Sequence, residues 1–198
     1  VYACACSRRE IADSAVTGID GPVYPGTCRN LLLNPTGNAI RVRVPDGITA
    51  FTDRVQGPQS QELARDIGDF VLRRRDGLFA YQLAVVIDDA DQGVTDVVRG
   101  ADLLDSTPRQ LLLLQLLGFP QPRYLHIPVA VNAAGQKLSK QTLAPALDDA
   151  AGCSLLNQAL QFLGQPAIPA DLAPTPSGLL QQAIRTWQPG SIPRLRFC

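Results

Sequence analysis

Ser106-Thr-Pro-Arg-Gln-Leu-Leu-Leu-Leu-Gln-Leu-Leu-Gly118 and, a few residues on, Tyr124-Leu-His-Ile-Pro-Val-Ala-Val131 set the architecture. Thr107 suits a helix N-cap, and Pro108, with a fixed φ and no N–H to leave unpaired, suits the first helical position. An apolar run follows to Leu117, and Gly118 stands just past the expected end, so the pattern predicts a helix from Pro108 to Leu117. Tyr124 to Val131 reads as a buried strand, with a turn at Asn132 to Gln136 centred on Gly135. Upstream, Ile40, Val42 and Val44 alternate with Arg41 and Arg43, the period-two pattern of a half-exposed strand, and residues 48–55 continue as strand. Phe70 to Arg73 and Phe79 to Ile87 are expected as strands flanking an Arg74-Arg-Asp-Gly77 turn, the second of them buried because Leu83 to Ile87 is apolar on both faces. Downstream, Ser154 to Gly164 and Thr175 to Trp187 read as capped amphipathic helices. Strand, helix and strand followed by helices point to an α/β fold. We expect a first region at 1–78, a second at 79–150 and a helical region at 151–198.

The chain has 198 residues, of which 45% are hydrophobic and 18% charged, enough apolar material for a buried core and too much for a disordered chain. Eighteen Lys plus Arg balance 18 Asp plus Glu, so bulk attraction to nucleic acid or membrane is excluded, although a local basic groove is not. No stretch approaches the roughly 20 apolar residues that span a bilayer, and no secretory signal is visible at the start. The sequence begins at Val1 and contains no Met, from which we expect that residues precede it.

Cys4, Cys6 and Cys28 lie close together in sequence, while Cys153 and Cys198 stand apart. A Cys-x-Cys pair is too close for an easy disulfide, which favours a reducing cytoplasm. The three neighbouring thiols could supply soft ligands to zinc, which needs a fourth donor, or could be small buried side chains. The single His, His126, is remote in sequence, and the local oxygen donors are Asp13, Asp20 and Tyr24. His126 itself, in an apolar strand, is expected to be a satisfied core residue.

Among the 18 basic residues only Lys137 and Lys140 are lysines, and both fall in Lys137-Leu-Ser-Lys140. Elsewhere the chain uses Arg; here it keeps compact ammonium charges suited to phosphate. The motif follows a buried strand and a Gly turn, the position at which loops of a parallel sheet face ligands. Asp88, Asp89 and Asp91 could hold Mg²⁺ or could cap a following helix. Arg73, Arg74 and Arg75 could meet RNA phosphates or form an exposed hairpin tip.

Lys137-Leu-Ser-Lys-Gln141 resembles the K-M-S-K-S loop of class I aminoacyl-tRNA synthetases. Tyr81-Gln-Leu-Ala-Val-Val-Ile-Asp-Asp89, Gly93-Val-Thr-Asp-Val-Val-Arg-Gly100 and Ser106-Thr-Pro-Arg-Gln-Leu111 are similar to the glutamate-specific branch. Cys4-x-Cys6 with Tyr24-Pro-Gly-Thr-Cys28 resembles the zinc knuckle of the glutamyl-queuosine tRNA(Asp) synthetase family, in which a Tyr completes the ligand set. The resemblance implies a Rossmann-like catalytic domain, represented by its C-terminal half, with a zinc-knuckle insertion and C-terminal helices. It implies that Tyr81 and Arg99 bind glutamate, that Lys137, Ser139 and Lys140 form an ATP-binding loop with Lys140 catalytic, and that Cys4, Cys6, Tyr24 and Cys28 hold one structural Zn²⁺.

The implied reaction has two steps. A glutamate carboxylate oxygen attacks the α-phosphorus of ATP, with Mg²⁺, to release pyrophosphate and leave glutamyl adenylate; Lys140 steadies the charge that builds on the phosphate. The glutamyl group then passes to queuosine in the anticodon of tRNA(Asp). A monomer is expected. No His-Ile-Gly-His-like motif, which such enzymes carry near their N-terminus, occurs in these residues, so the 198-residue chain alone is expected to be inactive. Gln141 replaces the last Ser of the loop motif. A fragment of an ordinary glutamyl-tRNA synthetase and a noncatalytic zinc-containing RNA-binding module stand as alternatives.

Overall fold

The computed structural model describes residues 1–13, 16–139 and 144–198. In chain order its elements are β1 (Tyr2–Cys4), α1 (Arg8–Asp13), β2 (Thr17–Gly18), β3 (Gly21–Pro22), β4 (Ala39–Arg41), β5 (Thr49–Asp53), β6 (Gly57–Gln61), α2 (Leu63–Asp66) and β7 (Val71–Arg73). There follow α3 (Tyr81–Asp91), β8 (Asp96–Gly100), a 3₁₀ turn at Ala101–Ser106, α4 (Thr107–Leu117), β9 (Arg123–Ile127), α5 (Gly152–Phe162) and α6 (Pro176–Thr186). The chain is therefore mixed α/β. It divides into two compact units, one of Val1–Thr52, Pro58–Val97 and Leu104–Arg123, the other of Asp53–Gly57, Val98–Leu103 and Tyr124–Cys198.

In the first unit β1, β4 and β7 form an antiparallel sheet in the order β1-β4-β7, with Tyr2 opposite Arg41 and Cys4 opposite Ala39. The alternation expected from Ile40 to Val44 is broken: the register shifts between Ile40 and Arg41, and Arg41 is buried beside Val42 and Val44. A bulge turns a side chain to the other face of a strand. The guanidinium is accommodated because Nη1 donates to the Asp69 carbonyl at 2.6 Å and its carbon lies 3.9 Å over the Tyr24 ring. Asp69 itself accepts from the Tyr2 hydroxyl at 2.6 Å and from the Val44 N–H at 2.8 Å.

Helix α4 forms along the expected apolar run and stops at Gly118, but Thr107 is not its N-cap. Leu111 to Leu114 are all buried, which explains why its apolar residues are not confined to one stripe. Gly118 takes φ 72°, the left-handed C-terminal stop. The helix follows directly on the 3₁₀ turn, so Ser106 flanks it and Thr107 is its first residue, fully buried.

Phe79 to Ile87 is corrected by the structure: it is not a buried strand but the start of the helix α3. The β-branched Val85-Val86-Ile87 run suits a strand locally, yet Leu83, Val86, Ile87 and Ala90 also repeat at helical spacing. Packing decides, since α3 lies on α4 with Val86 buried, and Gln110 Nε2 donates to Gln82 Oε1 at 2.9 Å. Asp88, Asp89 and Asp91 accordingly occupy the last turns of α3 rather than capping a following helix. The Arg74 to Gly77 turn does form, with Gly77 at φ 87° and Arg74 paired to Asp76, before a single bridge from Arg73 to Phe79.

In the second unit α5 packs on α6 through Leu160, Ile168, Ala173, Leu179 and Ala183. Thr175 caps α6 by accepting the Gly178 N–H at 3.2 Å, with Pro176 leading the helix. Asn132 to Gln136 forms the expected turn, closed by Asn132 N–H to the Gln136 carbonyl, with Gly135 at φ 74°. Among the described residues, no helix is long and apolar enough to cross a membrane.

Candidate metal centre and candidate active site

The Pro- and Gly-rich N-terminal segment is drawn together around sulfur. β1 carries Cys4 and leads to Cys6, while the turn after Tyr24 returns Cys28 to them; the three Sγ atoms lie within 4.8 Å of one another. Cys6 and Cys28 Sγ are 3.5 Å apart. The Tyr24 hydroxyl lies 3.3 Å from Cys4 Sγ and 3.8 Å from Cys6 Sγ, and accepts the Cys28 N–H at 2.8 Å. A tetrahedral zinc with Zn–S near 2.3 Å has S···S edges of about 3.8 Å, so three sulfurs and one phenol oxygen at these separations fit a metal ion. Burial would raise the Cys28 thiol, but hydrogen bonds from the Tyr24 hydroxyl, the Ala5 backbone and the other thiols outweigh it and bring the pKa down to about 7. Cys6 goes the other way, pushed up to about 11 by burial and by its contact with Cys28. Burial and the Cys4 contact likewise raise Tyr24. The Cys28 thiol is thus shifted toward the thiolate, the form that binds metals.

Gly68 locks Tyr24 in place. It bridges Tyr24 in parallel register at φ 71°, and a Cβ there would lie 2.9 Å from the Tyr24 carbonyl oxygen. Gly68→Ala therefore combines left-handed strain with a backbone clash, and we expect a loss of about 2 kcal/mol or more of stability. Denaturant unfolding checks this; an unchanged midpoint would contradict it.

In the second unit a buried polar chain runs from Asp53 to Arg99. Asp53 and the His126 side chain are fully buried, and Asp53 Oδ2 lies 2.6 Å from His126 Nδ1. Asp53 Oδ1 accepts the Val55 and Gln56 N–H groups at 2.9 and 2.8 Å, an Asx-turn that closes the β5–β6 connection. Arg99 Nε donates to His126 Nε2 at 2.9 Å. Burial alone would raise the Asp53 carboxyl, but the His126 ring and the Gln56, Val55 and His126 N–H groups outweigh it and hold it below the usual carboxylate range. Its contribution to stability is therefore present at neutral pH and is lost as acid protonates it. The Tyr124 ring stacks at 6.0 Å on His126, and the Arg99 guanidinium carbon lies 5.4 Å from the same ring.

The Lys137 loop belongs to the same unit. Lys137 bridges Val131 across the Gly135 turn and pairs through Nζ with Asp102. Gly100, next to Arg99, admits this arrangement because a Cβ there would meet Asp102 Oδ1 at 2.4 Å. Ser139 is half-buried at the end of the described segment, and Lys140 and Gln141 lie outside the described residues. Tyr81 stands in the first unit at the first turn of α3, with 52% of its surface exposed. The structure thus gathers Cys4, Cys6, Tyr24 and Cys28 in one unit and Arg99, Lys137 and Ser139 in the other. Asp53 escaped the sequence reading altogether; an Asx-turn pattern precedes Gly57, but nothing local ties Asp53 to His126, 73 residues away.

The profile of tRNA synthetases class I (E and Q), catalytic domain, matches residues 27–152, well over half of the chain. The chain belongs to this family. A glutamyl-Q tRNA(Asp) synthetase of Pseudomonas entomophila is 55% identical over 193 residues, covering 98% of the chain and 63% of that protein. One of Acinetobacter baylyi is 52% identical over 193 residues, again 98% of the chain and 63% of the relative. The chain thus spans a little under two thirds of the curated relatives it matches. The crystal structure of a glutamate-tRNA synthetase from Elizabethkingia anophelis superposes with a TM-score of 0.68 at 23% identity, over 95% of this chain and 44% of that one, showing a shared class I synthetase fold.

Proposed function

We propose that the protein carrying this chain activates glutamate with ATP and transfers it to queuosine in tRNA(Asp), a cytoplasmic tRNA modification. The observation that carries this reading is the 52–55% identity, over 98% of the chain, to proteins named glutamyl-Q tRNA(Asp) synthetase. The three-sulfur, one-phenol cluster supports it, because the same residues resemble the zinc-knuckle motif of that family. In this reading Arg99 receives a glutamate carboxylate, as a planar fork does well, and Tyr81 contributes a hydroxyl. Lys137, Ser139 and Lys140 serve the ATP phosphates, with Lys140 steadying charge on the α-phosphate. Cys4, Cys6, Tyr24 and Cys28 would hold one zinc, which supplies structural closure of the knuckle.

The test is glutamate-dependent ATP–pyrophosphate exchange by the full-length gene product, with and without tRNA. Exchange without tRNA, followed by glutamyl transfer to queuosine-containing but not queuosine-free tRNA(Asp), is the expected result. Exchange that appears only with tRNA(Glu), with transfer to that tRNA, would replace the reading by an ordinary glutamyl-tRNA synthetase. The 198-residue chain tested beside it is expected to give no exchange, since it carries no His-Ile-Gly-His-like motif.

A further inference from the structure

Chemistry at His126 fixes its proton. Every N–H of a guanidinium donates and none accepts, so the Arg99 Nε contact at 2.9 Å requires His126 Nε2 to be the bare, accepting nitrogen. The proton of a neutral ring then sits on Nδ1 and is donated to Asp53 Oδ2 at 2.6 Å. Asp53 cannot rotate out of this role. Its Oδ1 is engaged by the Val55 and Gln56 N–H groups, and the His126 N–H lies 3.1 Å from Oδ2. Both side chains are sealed from water, and Tyr124, itself buried, stacks on the imidazole and lies against the guanidinium.

We propose that Asp53 and His126 are positioning residues that set the tautomer of the imidazole and, through Nε2, the orientation of the Arg99 guanidinium toward the substrate carboxylate. The assignment rests on the proposed reading of Arg99 as a glutamate ligand. A guanidinium held by its Nε edge, with Nη2 also 3.5 Å from the Leu103 carbonyl, has its plane fixed, and the planar fork at Nη1 and Nη2 is the part that pairs with a carboxylate. Orientation matters because a preorganised donor gives up less rotamer freedom when its partner arrives. Arg99 without the His126 acceptor would keep its charge and lose its aim.

Three variants separate the links. His126→Asn keeps a donor near the Nδ1 position for Asp53 and removes the Nε2 acceptor; it is expected to raise KM for glutamate by about tenfold to a hundredfold, leaving KM for ATP unchanged. His126→Gln can return an acceptor near Nε2 and is expected to recover part of that loss. Asp53→Asn must keep its oxygen toward the Val55 and Gln56 N–H groups, so its NH₂ faces Nδ1 and drives the ring proton to Nε2, against Arg99; it is expected to be the most damaging.

The decisive measurement is ¹⁵N NMR of the full-length protein labelled at histidine, with the His126 signals identified by their loss in His126→Asn. A proton on Nδ1 and a bare Nε2 in the wild type, moved to Nε2 in Asp53→Asn, is the expected result. A wild-type ring protonated on Nε2 overturns the assignment, whatever the activity. Should the wild type prove active on glutamate while His126→Asn and His126→Gln share its glutamate KM, the positioning role falls and the proposed function stands. Absence of glutamate activation by the wild type removes the proposed function instead, and the tautomer alone then decides the Asp53–His126–Arg99 link.

Discussion

Cys28→Ser is expected to abolish stoichiometric zinc binding and to unfold the segment around β1, α1 and the Tyr24 turn. That segment buries few apolar side chains of its own. Its cluster is Tyr2, Cys4, Tyr24 and Cys28, flanked by Cys6, Ile11 and Leu33, so the proposed ligands are also most of its core. A cluster this small holds a fold only with a cross-link or a metal, and structural zinc supplies about 10 to 16 kcal/mol of apparent binding energy in small domains. Cys28 contributes a thiol whose pKa its neighbours bring down, and a serine hydroxyl there is a far weaker ligand. Zinc content by metal analysis and amide exchange over residues 1–33 would report the two effects together; full zinc retention by Cys28→Ser would overturn the metal assignment. Tyr24→Phe probes the fourth ligand separately. Losing the hydroxyl leaves the buried Cys28 N–H without its acceptor, which costs about 1–3 kcal/mol whether or not oxygen touches the metal. The discriminating readout is therefore X-ray absorption at the zinc edge, where the wild type is expected to show three sulfurs and one light ligand and Tyr24→Phe a changed light-ligand shell. Identical spectra would remove Tyr24 from the ligand set and leave its structural role intact.

The contrast between α4 and α3 shows which parts of the fold could be read from sequence. Helix α4 was legible because its signals are local and agree: Pro108 near the start, an unbroken apolar run, and Gly118 at φ 72° past the end. Helix α3 was not, because Val85-Val86-Ile87 prefers a strand and only packing against α4 overrules it. Arg41 failed for a similar reason, since the bulge before it and the partners that accept it, the Tyr24 ring and the Asp69 carbonyl, are remote in sequence. The cluster of three thiols and one phenol was legible because its four residues sit in two tight spacings, Cys4-x-Cys6 and Tyr24-x-x-x-Cys28. His126 was correctly expected to be a satisfied core residue, but its two partners, Asp53 and Arg99, lie 73 and 27 residues away and no periodicity links them.

Arg99→Lys is expected to reduce kcat/KM for glutamate by about 10²-fold, and Arg99→Ala by more, in the full-length protein. Lysine preserves the positive charge, so a purely electrostatic role would survive the change. What lysine cannot supply is the planar fork or the fixed Nε–H that bonds His126. A hydrogen bond to a charged group contributes about 1.5–3 kcal/mol, and the upper figure corresponds to about a hundredfold in rate or binding. The partition between the constants tells which half of the role is lost. A rise in KM with kcat kept means that Arg99 grips glutamate equally in the ground and transition states; a fall in kcat means that it aligns the attacking carboxylate with the α-phosphorus. The buried side of the structure adds a second consequence. His126 Nε2 is sealed and loses its donor in Arg99→Ala, so a buried acceptor is left unsatisfied and the variant should also be less stable by about 1–3 kcal/mol. Activity lost without any change in stability would place the Arg99 guanidinium away from His126 in solution. Stability lost with glutamate kinetics intact would make Arg99 a structural cross-tie and remove it from the substrate site.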